Sequence, residues 1–118
     1  MNKKTNGQNG ENLLDLIPVH SVEWEKNGET NTITLKKLKF QNTYLRKNLL
    51  PRLKNPYFRI NLDKIGSHVW LTIDGRRSVL QIADNLAKTF GSDVDPVYER
   101  VGQFIRSLEK SSFITYRR

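Results

Sequence analysis

Residues 57–91, YFRINLDKIGSHVWLTIDGRRSVLQIADNLAKTFG, switch from a strand period to a helix period, and that switch decides the fold. Over Tyr57–Leu62 apolar and polar side chains alternate. Phe58, Ile60 and Leu62 fall on one face and Tyr57, Arg59 and Asn61 on the other, the period-two signature of a strand. After Asp63 the period becomes helical, with Ile65, Val69 and Ile73 along one stripe and Trp70 on its flank. Asp63 suits an N-cap, and Asp74-Gly75 suits a stop, because Gly accepts the left-handed geometry that ends helices. Ser78 opens the next helix with Gln81 three residues on, the spacing of a capping box. Val79, Ile82, Ala83, Leu86 and Phe90 give that helix an apolar face, and Gly91 closes it.

Upstream, Val22 and Trp24 alternate with Ser21, Glu23 and Glu25, which predicts a half-buried strand over His20–Glu25. Lys26-Asn27-Gly28-Glu29 reads as a hairpin turn, since Asn-Gly readily takes positive φ. A second strand follows over Thr32–Leu38, its alternation failing at Lys37-Leu38. Leu13, Leu14, Leu16 and Ile17, ended by Pro18, form a small cluster placed to cap the core. Between Asn42 and Leu53, Tyr44, Leu45, Leu49 and Leu53 recur at helical spacing, with Asn42 as cap and Pro51 as a break. Downstream, Asp95-Pro96 supplies a cap and an N1 proline. Val97, Val101, Phe104 and Leu108 mark a last helix, and Phe113–Tyr116 a closing strand. The expected architecture is α+β: a three-stranded antiparallel sheet followed by a three-helix bundle, with a short helical insertion between strands 2 and 3. Residues 1–11 read as a disordered polar tail and 12–118 as a single domain.

The formal charge is +8, from 20 Lys and Arg against 12 Asp and Glu. Between Glu29 and Asp63 lie Lys36, Lys37, Lys39, Arg46, Lys47, Arg52, Lys54 and Arg59 with no acid among them, so this central third carries the whole excess. Such a block predicts an anionic partner or, more simply, a solvated surface. The absence of cysteine excludes disulfides and thiolate chemistry. His20 and His68 lie in different elements and share no metal-binding spacing, and no glycine-rich phosphate loop occurs. Ser67 and His68 are helix neighbours whose side chains diverge by about 100°, so they cannot pair directly as nucleophile and base. Neither an enzyme nor a cofactor or metal site is expected. No run of apolar residues has the length of a membrane span, and MNKKTNGQNGEN lacks the apolar core of a secretory signal, so no membrane partner and a cytoplasmic protein are the expectation.

The segment Ile60–Leu86 resembles the pyrroloquinoline-quinone biosynthesis protein D family, which includes the recognition elements of ribosomally made, modified peptides. The resemblance is carried by Val69-Trp70, Ile73-Asp74-Gly75, Ser78-Val79, Gln81-Ile82-Ala83, Phe90-Gly91 and Phe113-Ile114, and extends over roughly Ser21 to Tyr116. It implies a winged-helix-like module, a peptide chaperone without catalytic residues. Such a module captures the leader of a precursor peptide as an extra strand beside its third strand, in a groove walled by the last helix. It presents that peptide to a modifying enzyme, in many members a radical S-adenosylmethionine enzyme. The basic segment 41–55 departs from the short family pattern as an insertion, placed to line the groove, cover it or dock an enzyme.

The residues themselves give that groove some support. Strand addition needs an open sheet edge with pockets beside it. Phe58, Arg59, Ile60 and Asn61 are the candidate edge, although Phe58, Ile60 and Leu62 equally suit the core. On the last helix Tyr98, Gly102 and Ile105 share a flank, and Gly102 there marks a close approach, either of a guest backbone or of this chain's own sheet. Arg59 and the central basic block would select an acidic leader. Two other classes compete: a DNA-binding winged-helix regulator, and a general protein–protein adaptor. Glu99 and Glu109 on the last helix and Asp84 on the preceding one interrupt any basic recognition stripe, so nucleic acid is the less expected partner.

Overall fold

The computed structural model describes residues 12–39 and 43–117; the expected polar tail and the expected Asn42 cap lie outside the described residues. Three strands, β2 (Glu23–Lys26), β3 (Ile33–Leu38) and β4 (Tyr57–Asn61), form an antiparallel sheet in that order. A second, two-stranded sheet joins β1 (Pro18–His20) to β5 (Ile114–Tyr116). Among the described residues there are four α-helices: α1 (Thr43–Asn48), α2 (Lys64–Thr72), α3 (Val79–Phe90) and α4 (Val97–Lys110).

The expected first strand therefore divides. His20 pairs with Ile114 in the small sheet, whereas Trp24 pairs with Leu35 in the large one. Val22 and Trp24 were expected to point inward, but Trp24 is 39% exposed. The β2–β3 turn is also longer than Asn-Gly alone predicts. Asn27 N–H donates to Thr32 O, and the positive φ falls on Asn31 (59°) rather than on Asn27 or Gly28. Asn27 instead uses its side-chain oxygen to accept from Glu29 N–H at 2.9 Å.

One hydrophobic core joins the elements. Ile33 and Leu35 enter it from β3, Val69, Trp70 and Ile73 from α2, Ile82 and Leu86 from α3, and Val101, Ile105 and Leu108 from α4. Trp70 is fully buried and stacks on the His20 ring at 3.9 Å, which ties the small sheet to α2. Leu13, in a short 3-10 turn, closes the core from outside, as the N-terminal apolar cluster predicts.

The caps follow the sequence closely at two helices. Asp63 accepts from Gly66 N–H at the start of α2, and Ser78 with Gln81 forms the capping box of α3. At α4 the reading shifts: Pro96 rather than Asp95 is the N-cap residue, and no side chain caps it. The insertion differs more. The helix is shorter than the Asn42–Leu53 spacing allows, but the break expected at Pro51 is present: α1 ends at Asn48 and a 3-10 turn covers Leu50–Arg52, with Pro51 in its first turn. Tyr44, Leu49 and Leu53 of the expected apolar stripe are exposed, and only Leu50 is buried there. Lys37, where alternation failed, reaches the open end of α4: its Nζ donates to Ser111 O at 2.6 Å. Among the described residues no helix is long and apolar enough to cross a membrane.

Candidate peptide-binding edge

β4 lies at an edge of the sheet, and the hydrogen bonds beyond its two ends fix which of its groups face outward. Leu62 N–H donates to Ile33 O at 2.8 Å, and Lys39 N–H donates to Pro56 O at 2.9 Å. In an antiparallel ladder the paired positions recur every second residue. Leu62, Ile60, Phe58 and Pro56 therefore turn their main-chain groups toward β3, in the register Leu35↔Ile60 and Lys37↔Phe58. Tyr57, Arg59 and Asn61 turn theirs away from it. Each contributes one N–H and one C=O to a row that meets no partner strand among the described residues.

The two faces of β4 differ chemically. Phe58 and Ile60 share the core-side face with buried Leu35, yet they are 54% and 37% exposed. The core reading of these two side chains thus fails, and the edge stays open. Across the sheet, Arg59 Nη1 lies 3.3 Å from Glu25 Oε2, and Lys36 Nζ lies 3.6 Å from Glu25 Oε1. Asn61 accepts a hydrogen bond from Thr34 Oγ1 at 2.7 Å.

Where β4 runs into α2, a cleft of about 380 Å³ opens between Asn61, Leu62, Ile65 and Gly66 on one side and Arg100 and Phe104 of α4 on the other. Its walls are mainly apolar, and Arg100 gives it a cation, held by a bond from Nη1 to Asp93 O at 3.1 Å. Gly66 keeps the cleft's walls close: a Cβ there would lie 3.1 Å from Asp63 Oδ1 and 3.4 Å from Phe104 Cζ.

The last helix does wall this cleft, but with the flank opposite to the one read from the sequence. Gly102 faces the N-terminal turn, where an added Cβ would meet Leu13 Cδ2 at 3.6 Å. Tyr98 lines the same surface beside Asn12 and Leu14, and its hydroxyl donates to Asp84, which raises the phenol pKa. Ile105 is completely buried. The structure therefore brings Phe58, Arg59, Ile60 and Asn61 together and sets Tyr98, Gly102 and Ile105 apart from them. Arg100, Phe104 and Gly66 are the residues that sequence reasoning passed over. Phe104 had been read as core, and only its position on the strand-side edge of the α4 stripe signals the cleft.

Other ionisable groups have structural roles. Burial lowers the His20 pKa below 6.5, against the raising effect of its bond to Trp70 O. Main-chain bonds from Arg77 and Arg76 lower the Asp74 pKa and lock the Asp-Gly turn after α2. Among the described residues no group of His, Asp and Glu could hold a metal ion.

Residues 57–114 match the family model described as coenzyme PQQ synthesis protein D (PqqD), about half of the chain. The match is narrower than the span of Ser21 to Tyr116 read from the motifs: it begins with β4 and ends as β5 starts, leaving β1–β3 and the insertion outside. No curated protein and no solved structure matches the chain. The matched segment holds the free strand edge, its cleft and the three long helices, and the chain belongs to the PqqD family.

Proposed function

We propose that this chain is a non-catalytic peptide-binding module. It takes the leader of a ribosomally made precursor as an added strand on β4 and presents it to a modifying enzyme, a radical S-adenosylmethionine enzyme being the first partner to test. The observation that carries this reading is the outward row of Tyr57, Arg59 and Asn61 beside an apolar cleft. An extended peptide gains main-chain hydrogen bonds from such a row and specificity from pockets at alternate side chains. One set of guest side chains would lie against Phe58, Ile60 and the Leu62–Phe104 cleft. The other set would face Arg59, which favours an acidic residue. The β2–β3 hairpin against α2–α4 is then a winged-helix-like frame whose role is to hold that edge open.

The test is affinity purification of the tagged chain under native conditions, followed by mass spectrometry and nuclease-sensitive staining. Recovery of a small precursor peptide together with its modifying enzyme is the expected result. Recovery of duplex DNA without a peptide would instead assign the chain to the transcriptional regulators.

A further inference from the structure

A second recess lies at the opposite end of β4 from the apolar cleft. Four residue steps separate Asn61 from Tyr57, about 13 Å along a strand. There, a pocket of about 350 Å³ is enclosed by the β3 segment Lys36–Leu38, Tyr57, the turn at Ser112 and Arg46 of the insertion. Three cationic residues, Lys36, Lys37 and Arg46, line it together with one acidic residue, Glu23. The two lysines are held in place. Lys36 Nζ sits 3.6 Å from Glu25 Oε1 and 5.2 Å over the Tyr57 ring. Lys37 Nζ donates to Ser111 O and lies 5.4 Å over the Phe113 ring. An ammonium has three donors, so each keeps hydrogens for a further acceptor. Arg46 is exposed and makes no ion pair among the described residues, so its five-donor fork is available. The Ser112 hydroxyl at the rim likewise meets no acceptor among the described residues.

We propose that this pocket is a carboxylate-binding site for an acidic segment of a partner chain, and that the insertion serves to complete it with Arg46. The placement of the cations favours a chain over a single small anion. Lys36 and Lys37 are strand neighbours that leave β3 on opposite faces, and Arg46 arrives from a separate element, so the three do not converge on one tetrahedral ion. The site stands whether or not β4 accepts a strand.

The test is an NMR titration of the full ¹⁵N-labelled chain with a hexaglutamate peptide and, separately, with inorganic phosphate, at low and at physiological salt. The main-chain amide signals of Lys36, Lys37, Tyr57 and Ser112 move together on adding hexaglutamate, with an affinity that falls as salt rises. Arg46→Ala, an exposed truncation, weakens that binding about two- to fivefold while leaving the rest of the spectrum in place, and Arg46→Glu weakens it further. Hexaglutamate shifts scattered over all basic residues, or unchanged binding by Arg46→Glu, would overturn the site. Phosphate moving the same signals at equal or lower concentration would overturn a chain segment as its occupant.

Discussion

Replacing Arg59 by Pro separates main-chain recognition from charge at the proposed strand edge. The Arg59 N–H points away from β3, so proline there removes no ladder bond, and prolines are tolerated on edge strands at such positions. The fold loses the Arg59–Glu25 pair, which spans 3.3 Å between half-exposed side chains. Exposed pairs of this kind contribute about 0.2–1 kcal/mol. Arg59→Gln loses the same pair and keeps the N–H, and so serves as the charge control. Bound peptide feels a larger difference. With proline at 59 one carbonyl of the guest strand loses its donor, a cost of about 1–3 kcal/mol when the group is shielded from water. At about 1.4 kcal/mol per tenfold, Arg59→Pro should bind a labelled leader about 5- to 150-fold more weakly than Arg59→Gln. Anisotropy titration measures the affinities, and urea denaturation confirms that both variants remain folded. Ile60→Pro, which does remove a ladder donor, should fail the folding control. Equal affinity of the Arg59→Pro and Arg59→Gln variants would refute main-chain pairing at this position.

Other outcomes follow from single contacts. Gly102→Ala should stabilise the chain by about 1 kcal/mol, because the new Cβ reaches ordinary contact with Leu13 at 3.6 Å and a mid-helix glycine is relieved; leader affinity should not change. Phe104→Ala should cost about 1–2 kcal/mol in urea denaturation, less than a fully buried Phe because the ring is only half-buried, and should weaken leader binding as well. His20 is held below its ordinary pKa by burial, so the folded chain binds its proton less readily than the unfolded chain. Its contribution is therefore intact above about pH 6.5 and is lost as pH falls toward the lowered folded value. His20→Gln should flatten the fall of the unfolding free energy, measured by urea denaturation, between about pH 7.5 and pH 5.5, and an unaltered slope would remove His20 as its source.

Much of the frame was legible because short-range chemistry dictates it. Asp63, Ser78 with Gln81, and Gly91 mark helix boundaries through bonds made within a few residues, and the apolar stripes of α2 and α3 point at the core they enter. The division of the first strand was not legible, since it depends on His20 meeting Ile114 nearly a hundred residues away. The flank of α4 was misread for a similar reason. Phe104 and Gly102 border the same buried stripe on opposite sides, and periodicity cannot tell which side faces β4 and which faces Leu13. The apolar cluster at Leu13–Ile17 held the missing signal, because so short a run must find a surface to cover, and Gly102 offers one. In the insertion, leucines at helical spacing suggested a buried stripe, whereas the segment is too short and too interrupted by Pro51 to bury more than Leu50. That β4 lies at an edge of the sheet was legible from its place as the last strand before the helices, but which of its groups point outward required the register.

Amide hydrogen exchange along β4, followed residue by residue with and without a bound leader peptide, tests strand addition most directly. In the free chain the amides of Tyr57, Arg59 and Asn61 should exchange quickly while those of Phe58, Ile60 and Leu62 are protected by β3; bound peptide should slow the first three and leave the others as they were. Binding that leaves Tyr57, Arg59 and Asn61 in fast exchange, with new protection confined to α4 or the insertion, would contradict the account.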